Sequence, residues 1–374
     1  MSTAMYSGLE LLTLGLERGA DVHWDLLHNL RTLDCLVYEV QNISVDLAKL
    51  ETMETVDIME MLLRGHHTVT GVRRFLQPFL QRLEDAKSGE MRRLVSEYCV
   101  TRAEEDLSFP LVVVENSGPD KTGPVLYSVV DTLRLALDCC YAHQTGNQLE
   151  LAESIYFSII SYFKENPGTR QLKYNVSPMK QEVEMFKNHL EISRILSKNG
   201  VVKPLSHLRD HSNDKEVMKK IFDAVTARAE GARPPLDQDG WRLVLRDLQC
   251  LQNLVPVVEM TGVMLGYTES LLSSGSHSNI ELAGSVMEGL IDTGDSLQLV
   301  LTAWRHYYST AASLSDPDID LARKCLSLAP DGVRDIQDCY DLIAALQSLA
   351  DFGLSDLLPM TVLNCQDRME FVRR

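Results

Sequence analysis

The chain has 374 residues, 45% of them hydrophobic, and its 36 basic and 53 acidic side chains give a formal net charge of −17. This apolar fraction is ordinary for a folded protein, so intrinsic disorder is excluded as the main state. The negative charge repels phosphate, which argues against nucleic-acid binding and against adsorption to an anionic membrane. We therefore predict no direct nucleic-acid partner, and we expect any membrane association to run through protein partners.

Neither of the two apolar stretches has the features of a targeting or membrane-spanning segment. Residues 1–19 contain no basic residue ahead of their apolar stretch, which predicts that they are not a signal peptide. The window 251–272 is interrupted by Asn253, Glu259 and Glu269, so it is too polar to span a bilayer. None of the eight cysteines forms a CxxC pair, and most fall on apolar helical faces. Buried, reduced thiols are typical of a reducing compartment, so a cytoplasmic protein is predicted.

Apolar residues recur along the chain at the i, i+3, i+4, i+7 spacing of an amphipathic helix. This spacing predicts helices with one buried face throughout, and therefore an all-α protein. Clear examples are Ala152, Ile155, Tyr156, Ile159, Ile160 and Phe163; then Trp241, Val244, Leu245, Leu248 and Leu251; and finally Ile336, Tyr340, Ile343 and Leu346.

Capping residues fit the predicted helix ends. Asp316 precedes Pro317, which is the order expected of an N-cap followed by proline in the first helical position. Gly200 and Gly231 follow helical segments, so we expect both to close their helices in the left-handed conformation. The run PLVVV at 110–114 is the one strand-like segment, and one short run makes no sheet.

Breaks between the predicted helices are mostly short, which makes neighbouring helices antiparallel. Longer loops are predicted near 115–125, 164–180 and 230–239, with the same helical pattern resuming after each. Many short helices that each keep a charged face favour a solenoid over a single bundle. We therefore predict one elongated α-solenoid domain of paired antiparallel helices over residues 1–374.

The string DKTG at 120–123 raises the possibility of phosphoryl transfer, because Asp120 would then be the nucleophile. TGDS at 293–296 and PDGVRD at 330–335 echo later motifs of such enzymes. That chemistry needs the aspartates at the tips of adjacent parallel strands, whereas Asp295 starts a predicted helix and Asp331 lies in a predicted loop. We interpret the strings as coincidence and keep an enzyme using Asp120 as a rival hypothesis.

Other reactive side chains lack the spacing of a site. His66 and His67 are adjacent, so they cannot both face one metal ion from a helix. Cys139 and Cys140 lie near His143, but flanking leucines at helical spacing predict buried thiols. No phosphate-binding glycine loop is present. We therefore predict no catalytic, cofactor-binding or metal-binding residue, no cofactor, and a protein that is not an enzyme.

Four blocks carry a resemblance to a known family. They lie at 98–120 (YCVTRAEEDLSFPLVVVENSGPD), 268–287, 296–328 and 336–362, in the same order and with similar spacing over most of residues 40–374. In these blocks the chain resembles the neuroblastoma-amplified sequence family, in its domain related to the yeast secretory protein Sec thirty-nine. The specificity of the match lies in the order of the blocks, since no single block is a known signature.

The resemblance implies an α-solenoid scaffold subunit of a vesicle-tethering complex, peripheral on the cytosolic face of the endoplasmic reticulum. Implied partners are the Zeste-white-ten and Rad-fifty-interacting tether subunits and SNARE proteins of the endoplasmic reticulum. The implied process is Golgi-to-ER retrograde transport, and full-length animal members are also implicated in nonsense-mediated messenger RNA decay. Because the β-propeller of those members is missing, we expect a fragment of a larger protein. A generic helical-repeat adaptor in another pathway is the alternative.

Overall fold

A computed structural model describes residues 13–14, 24–40, 45–64, 66–86, 89–117, 125–126, 128–165, 173–330, 332–351 and 359–363. Every regular element among these residues is a helix, which confirms the all-α prediction. The arrangement of the helices as a solenoid of antiparallel pairs stays a prediction.

The helices follow one another with short connections. Two π-helical segments, Cys35–Glu39 and Val72–Leu76, continue directly from α1 and α4, and the second runs directly into α5. The α-helices are α1 (Trp24–Asp34), α2 (Leu47–Thr52), α3 (Thr55–Leu63), α4 (Val69–Gly71), α5 (Gln77–Ala86), α6 (Glu90–Ala103), α7 (Ser108–Glu115), α8 (Val129–Ala142), α9 (Leu149–Glu165), α10 (Lys173–Lys198), α11 (Leu205–His211), α12 (Lys215–Glu230), α13 (Gln238–Leu254), α14 (Met260–Leu272), α15 (His277–Leu290), α16 (Thr293–Thr310), α17 (Pro317–Leu326), α18 (Arg334–Asp351) and α19 (Pro359–Leu363).

The chain forms two compact units. Unit 1 comprises Met1–Arg194 with Val202–Arg209, and unit 2 comprises Ile195–Val201 with Asp210–Arg374. Each unit is described by itself below. The single continuous domain expected over residues 1–374 stays a prediction.

The strand-like reading of residues 110–114 is wrong, because these residues lie inside α7 in unit 1. The Asp106 carboxylate accepts hydrogen bonds from the backbone N–H and the hydroxyl of Ser108, at 3.0 and 2.8 Å, at the start of this helix. Phe109, Val113 and Val114 are each at most 3% exposed. Packing against neighbouring helices therefore outweighs the strand preference of the β-branched residues, which is weak and depends on context.

The three predicted loops meet different outcomes. At the break near 230–239, α12 ends at Glu230 and α13 begins at Gln238. Near 164–180 the break is shorter than predicted, because α10 already begins at Lys173. Pro178 removes one backbone hydrogen bond there, but the buried residues Met179, Val183 and Phe186 beyond it anchor the helix. The loop near 115–125 lies mostly outside the described residues.

The predicted caps are correct in two of three cases. The Asp316 carboxylate accepts from the N–H of Asp318 at 3.0 Å, with Pro317 beginning α17. Gly200 has φ +70°, and the N–H groups of Gly200 and Val201 donate to the carbonyls of Ser197 and Leu196, as in a Schellman motif. Gly231 does close α12, but the predicted left-handed conformation is wrong, since its φ is −78°. Its N–H already donates to the Ala227 carbonyl at 3.1 Å without a left-handed residue.

In unit 2, tyrosine hydroxyls join helices through backbone carbonyls. Tyr267 on α14 donates to the carbonyl of Trp241 on α13 at 2.7 Å, and the two rings meet edge to face at 5.5 Å. Tyr307 on α16 donates to the carbonyl of Leu272 at 2.7 Å and accepts from the Gly275 N–H at 2.9 Å. Each such bond contributes about 1 kcal/mol to stability.

A polar cluster is buried in unit 1. The Tyr141 hydroxyl lies 2.9 Å from His189 Nδ1, and the Arg209 guanidinium carbon lies 4.4 Å from the centre of the Tyr141 ring. His189 is only 3% exposed. Burial, with a smaller contribution from the positive charge of Arg209, lowers the pKa of His189 to about 4. The imidazole is therefore neutral in the folded protein at neutral pH.

This pKa predicts a loss of stability in mild acid. An unfolded histidine has a pKa near 6.5, so between about pH 6.5 and pH 4 the unfolded state binds a proton that the folded state does not. Stability contributed by neutral His189 is thus present above pH 6.5 and lost as the pH falls towards 4. Urea unfolding at pH 7.5 and 4.5 should show a smaller pH effect in His189→Asn, which does not titrate, than in the unmodified chain. Equal pH effects in both proteins would contradict the assignment.

Candidate interaction surfaces

The aspartates of the phosphoryl-transfer hypothesis do not form an observed site. Asp120 and Asp331 lie outside the described residues. Asp295 lies in the first turn of α16, as predicted, where its N–H donates to the Asp292 carboxylate at 2.9 Å. The start of α16 therefore accounts for the position of Asp295.

The thiols near His143 are buried in unit 1. Cys139 and Cys140 have no exposed surface, and burial raises the pKa of both thiols well above the usual range. His143 Nδ1 lies 3.0 Å from the Ala103 carbonyl oxygen, and its Nε2 lies 2.8 Å from the Thr145 hydroxyl. A protonated thiol beside a fully hydrogen-bonded imidazole is a poor nucleophile, so these residues serve the core. Cys250 differs from the buried thiols in being exposed.

The adjacent histidines contact aromatic rings. The His66 ring centre lies 5.3 Å from that of Phe75, and the His67 ring centre lies 5.3 Å from that of Phe109. Within the described part of the chain, no group of three or more His, Cys, Asp or Glu side chains is arranged to hold a metal ion. None of the helices among these described residues has the length and apolar character needed to cross a membrane.

A polar cleft of about 310 Å³ opens in unit 1 at the junction of α6 and α7. Beside it, the Glu60 carboxylate accepts from the Tyr98 hydroxyl and from the Arg102 guanidinium, which also lies over the Tyr98 ring at 5.6 Å. Asp106 on its wall is engaged by Ser108. Glu60, Tyr98 and Arg102 therefore satisfy one another and join α3 to α6 beside the cleft.

An aromatic side chain is exposed on α9. Phe157 is 65% exposed, and its ring centre lies 5.9 Å from that of Tyr156. Tyr156 in turn packs on the buried Phe186 of α10 at 6.2 Å. Exposed aromatic residues are frequent anchors at protein interfaces, but a single one is also common on soluble proteins.

A larger groove, of about 540 Å³, lies in unit 2 where α17 turns into α18. Its walls are formed by the end of α17, by the first two turns of α18 and, between them, by Ser327, Ala329, Pro330, Gly332 and Val333. Leu326 and Ile336 are buried at its base, and Ala329, Val333 and Tyr340 are half-buried. The groove therefore exposes only part of its apolar lining to solvent.

One acidic and one basic side chain line this groove. The acidic one is Asp338, and Asp335 and Asp341 lie exposed three residues to either side of it, each a neighbour of Asp338 on the surface of α18. Arg334 is the basic residue lining the groove. On α17, Arg323 is paired with Asp320 at 3.2 Å, and Lys324 is paired with Glu281 of α15 at 2.5 Å. The first turns of α18 thus carry a net negative charge beside the groove.

Comparison with known proteins identifies the family. No family model matches the chain, and no solved structure matches it. The chain is 30% identical to the NBAS subunit of the NRZ tethering complex of Homo sapiens over 389 aligned residues, which cover 98% of the chain and 16% of that protein. The chain is an NBAS-related protein. The family resemblance predicted from the four sequence blocks is therefore confirmed.

A plant protein gives a second, weaker match. This NBAS-related chain is 22% identical to the MAG2-interacting protein 2 of Arabidopsis thaliana over 347 residues, which cover 88% of the chain and 14% of the relative. The chain thus spans less than a fifth of the length of either relative.

Sequence reasoning missed the groove between α17 and α18. The sequence PDGVRD at 330–335 echoes a phosphoryl-transfer motif, and this likeness does not predict a groove. Asp335, Asp338 and Asp341, however, follow one another at three-residue spacing along a predicted helix. That spacing, next to the apolar Ile336 and Tyr340, was a readable signal of an acidic helix edge. The groove itself could not be predicted from the sequence, because it depends on how α17 and α18 pack against each other.

Proposed function

We propose that the chain is a non-catalytic scaffold within a vesicle-tethering subunit that acts in Golgi-to-ER retrograde transport. The observation that carries the proposal is its 30% identity, over nearly its whole length, to the NBAS subunit of the NRZ tethering complex. The name of the plant relative, a MAG2-interacting protein, likewise describes a protein that binds another protein. An all-helical chain with open surfaces fits this role, since stiff helical arrays hold partners at fixed separations.

The partners proposed are the Zeste-white-ten and Rad-fifty-interacting tether subunits and SNARE proteins of the endoplasmic reticulum. The location proposed is cytoplasmic, peripheral on the cytosolic face of the endoplasmic reticulum membrane. Membrane attachment then runs through proteins, which agrees with a net charge of −17 that anionic lipids would repel. The acidic surface also favours encounter with basic partner surfaces.

Co-purification tests this function. The full chain, tagged and expressed in animal cells, should retain the Zeste-white-ten and Rad-fifty-interacting subunits after washing at physiological salt. The matched control is a tagged helical-repeat protein of similar size and similar net negative charge, which should retain neither. Recovery of other cytosolic proteins without any tether subunit would reject the proposal and favour a helical-repeat adaptor in another pathway.

A further inference from the structure

The turn that ends α10 contains the single Asn-Gly pair of the chain, Asn199–Gly200. Asparagine is a chemically labile residue, and glycine after it favours spontaneous deamidation, because no Cβ hinders attack of the glycine nitrogen on the asparagine side chain. Gly200 is exposed and Asn199 is half-buried. A Cβ atom at Gly200 would meet nothing within 4 Å, so solvent water can reach the reacting groups.

The reaction would run through a cyclic imide. The Gly200 nitrogen bonds to Cγ of Asn199, the Cγ–Nδ2 bond breaks, and ammonia leaves with the proton from Gly200. Water then opens the imide at either of its carbonyl carbons, which gives aspartate or isoaspartate. Both products replace a neutral amide with a carboxylate, and isoaspartate also routes the main chain through the side-chain carbons.

Hydrogen bonds hold both reacting groups in the folded chain. Asn199 Nδ2 donates to Asp247 Oδ2 of α13 at 2.9 Å and to the Ile195 carbonyl at 2.8 Å. The Gly200 N–H donates to the Ser197 carbonyl at 3.0 Å, within the left-handed turn. Attack of the nitrogen on Cγ therefore requires the end of α10 to open first, and such local openings control many slow reactions of folded proteins.

We infer that Asn199–Gly200 is a deamidation site that the Asp247 carboxylate keeps closed, and that conversion prevents the turn from closing again. A carboxylate at position 199 would face Asp247, which is 8% exposed, at the place where the amide now donates. Like charges repel strongly where little water screens them. The one nearby ammonium, Lys198 Nζ at 2.8 Å from Asp247, would then be shared between two carboxylates. This inference goes beyond the proposed tethering function and does not depend on it.

The rate of conversion in the full chain tests the role of Asp247. The unmodified chain and Asp247→Ala are incubated at physiological pH and temperature, and deamidation at position 199 is followed by peptide mapping with mass spectrometry. Isoaspartate is measured separately by labelling with an isoaspartyl methyltransferase. A hydrogen bond to a charged group is strong enough that its loss should raise the open fraction, and with it the rate, about tenfold or more.

Two controls show whether the effect is local. Asp239→Ala removes an exposed carboxylate from the same helix, where it pairs with Arg242 at 3.1 Å, and should change the rate less than about twofold. Asn188 also lies on α10 but is followed by histidine, and it should stay unconverted in every variant. An unchanged rate in Asp247→Ala, equal acceleration by both variants, or parallel conversion of Asn188 would each overturn the inference.

A charge exchange tests the consequence of conversion. Asn199→Asp imitates the aspartate product and should lower the urea midpoint of unfolding, because two carboxylates then face each other. Asn199→Asp/Asp247→Asn exchanges the amide and the carboxylate, which allows a hydrogen bond between the two positions again. The double variant should recover about half or more of the lost midpoint, as expected for directly coupled residues. An unchanged midpoint in Asn199→Asp, or no recovery in the double variant, would contradict the predicted repulsion.

Discussion

Replacing Trp241 with alanine is expected to lower the free energy of unfolding by about 3–5 kcal/mol, the usual cost of removing a buried tryptophan. Trp241 is 2% exposed, and its ring packs edge to face on Tyr267 at 5.5 Å. The substitution leaves a cavity between α13 and α14 that the surrounding helices can fill only in part. The Tyr267 hydroxyl keeps its acceptor, because that acceptor is the backbone carbonyl of residue 241.

Urea unfolding followed by circular dichroism at 222 nm measures this loss without relying on tryptophan fluorescence. Leu243→Ala is the matched control, because Leu243 lies on the same helix but is 54% exposed. We expect it to change the free energy of unfolding by no more than about 0.5 kcal/mol. Similar losses in the two variants would show that the inner face of α13 has been assigned incorrectly.

Replacing Gly146 with alanine is expected to destabilise unit 1 by about 2 kcal/mol or more, for two separate reasons. Gly146, between α8 and α9, has φ +65°, a conformation that disfavours any side chain. A Cβ atom there would also lie 2.7 Å from the Lys203 carbonyl oxygen and 3.2 Å from the Pro204 nitrogen. Both contacts are backbone, so no side-chain rotation relieves them.

A second glycine separates the two contributions. Gly89 also has a positive φ, +87°, but a Cβ atom there would meet nothing within 4 Å. Gly89→Ala should therefore cost only about 1 kcal/mol, from the backbone conformation alone. The difference between the two variants in thermal or urea unfolding reports the close approach of residues 203–204. A Gly146→Ala protein no less stable than Gly89→Ala would contradict that approach.

The fold class was predictable because it depends on local periodicity. Ala152, Ile155 and Ile159 are each at most 2% exposed, as their spacing predicted. The strand-like interpretation of residues 110–114 was wrong, because a short apolar run fits a buried helix as well as a strand. The local hydrogen bonds from Ser108 to Asp106 and the burial of Phe109 decide between them, and the burial depends on tertiary structure.

The candidate interaction site was less predictable than the fold. The negative charge alone predicted protein partners over nucleic acid, and the order of the four blocks predicted the family. Ile336 is a buried core residue, as its spacing in the sequence predicts, but the groove above it is visible only in the structure. The position of Ile336 at the base of this groove follows from how α17 and α18 pack against each other.

The tyrosine hydrogen bonds of unit 2 determine which substitutions this helix packing can accept. In both, one helix contributes a hydroxyl and the other contributes only its main chain, at Trp241 and at Leu272. Any residue at an acceptor position supplies the same carbonyl, so mutations there leave the bond available, whereas Tyr267→Phe or Tyr307→Phe removes it. The hydrogen bond itself therefore constrains the sequence at only one partner of each helix pair, whereas Trp241 is constrained by the packing of its ring. A chain that shares few other residues with this one could therefore form the same two interhelical hydrogen bonds, provided that it keeps one tyrosine at each.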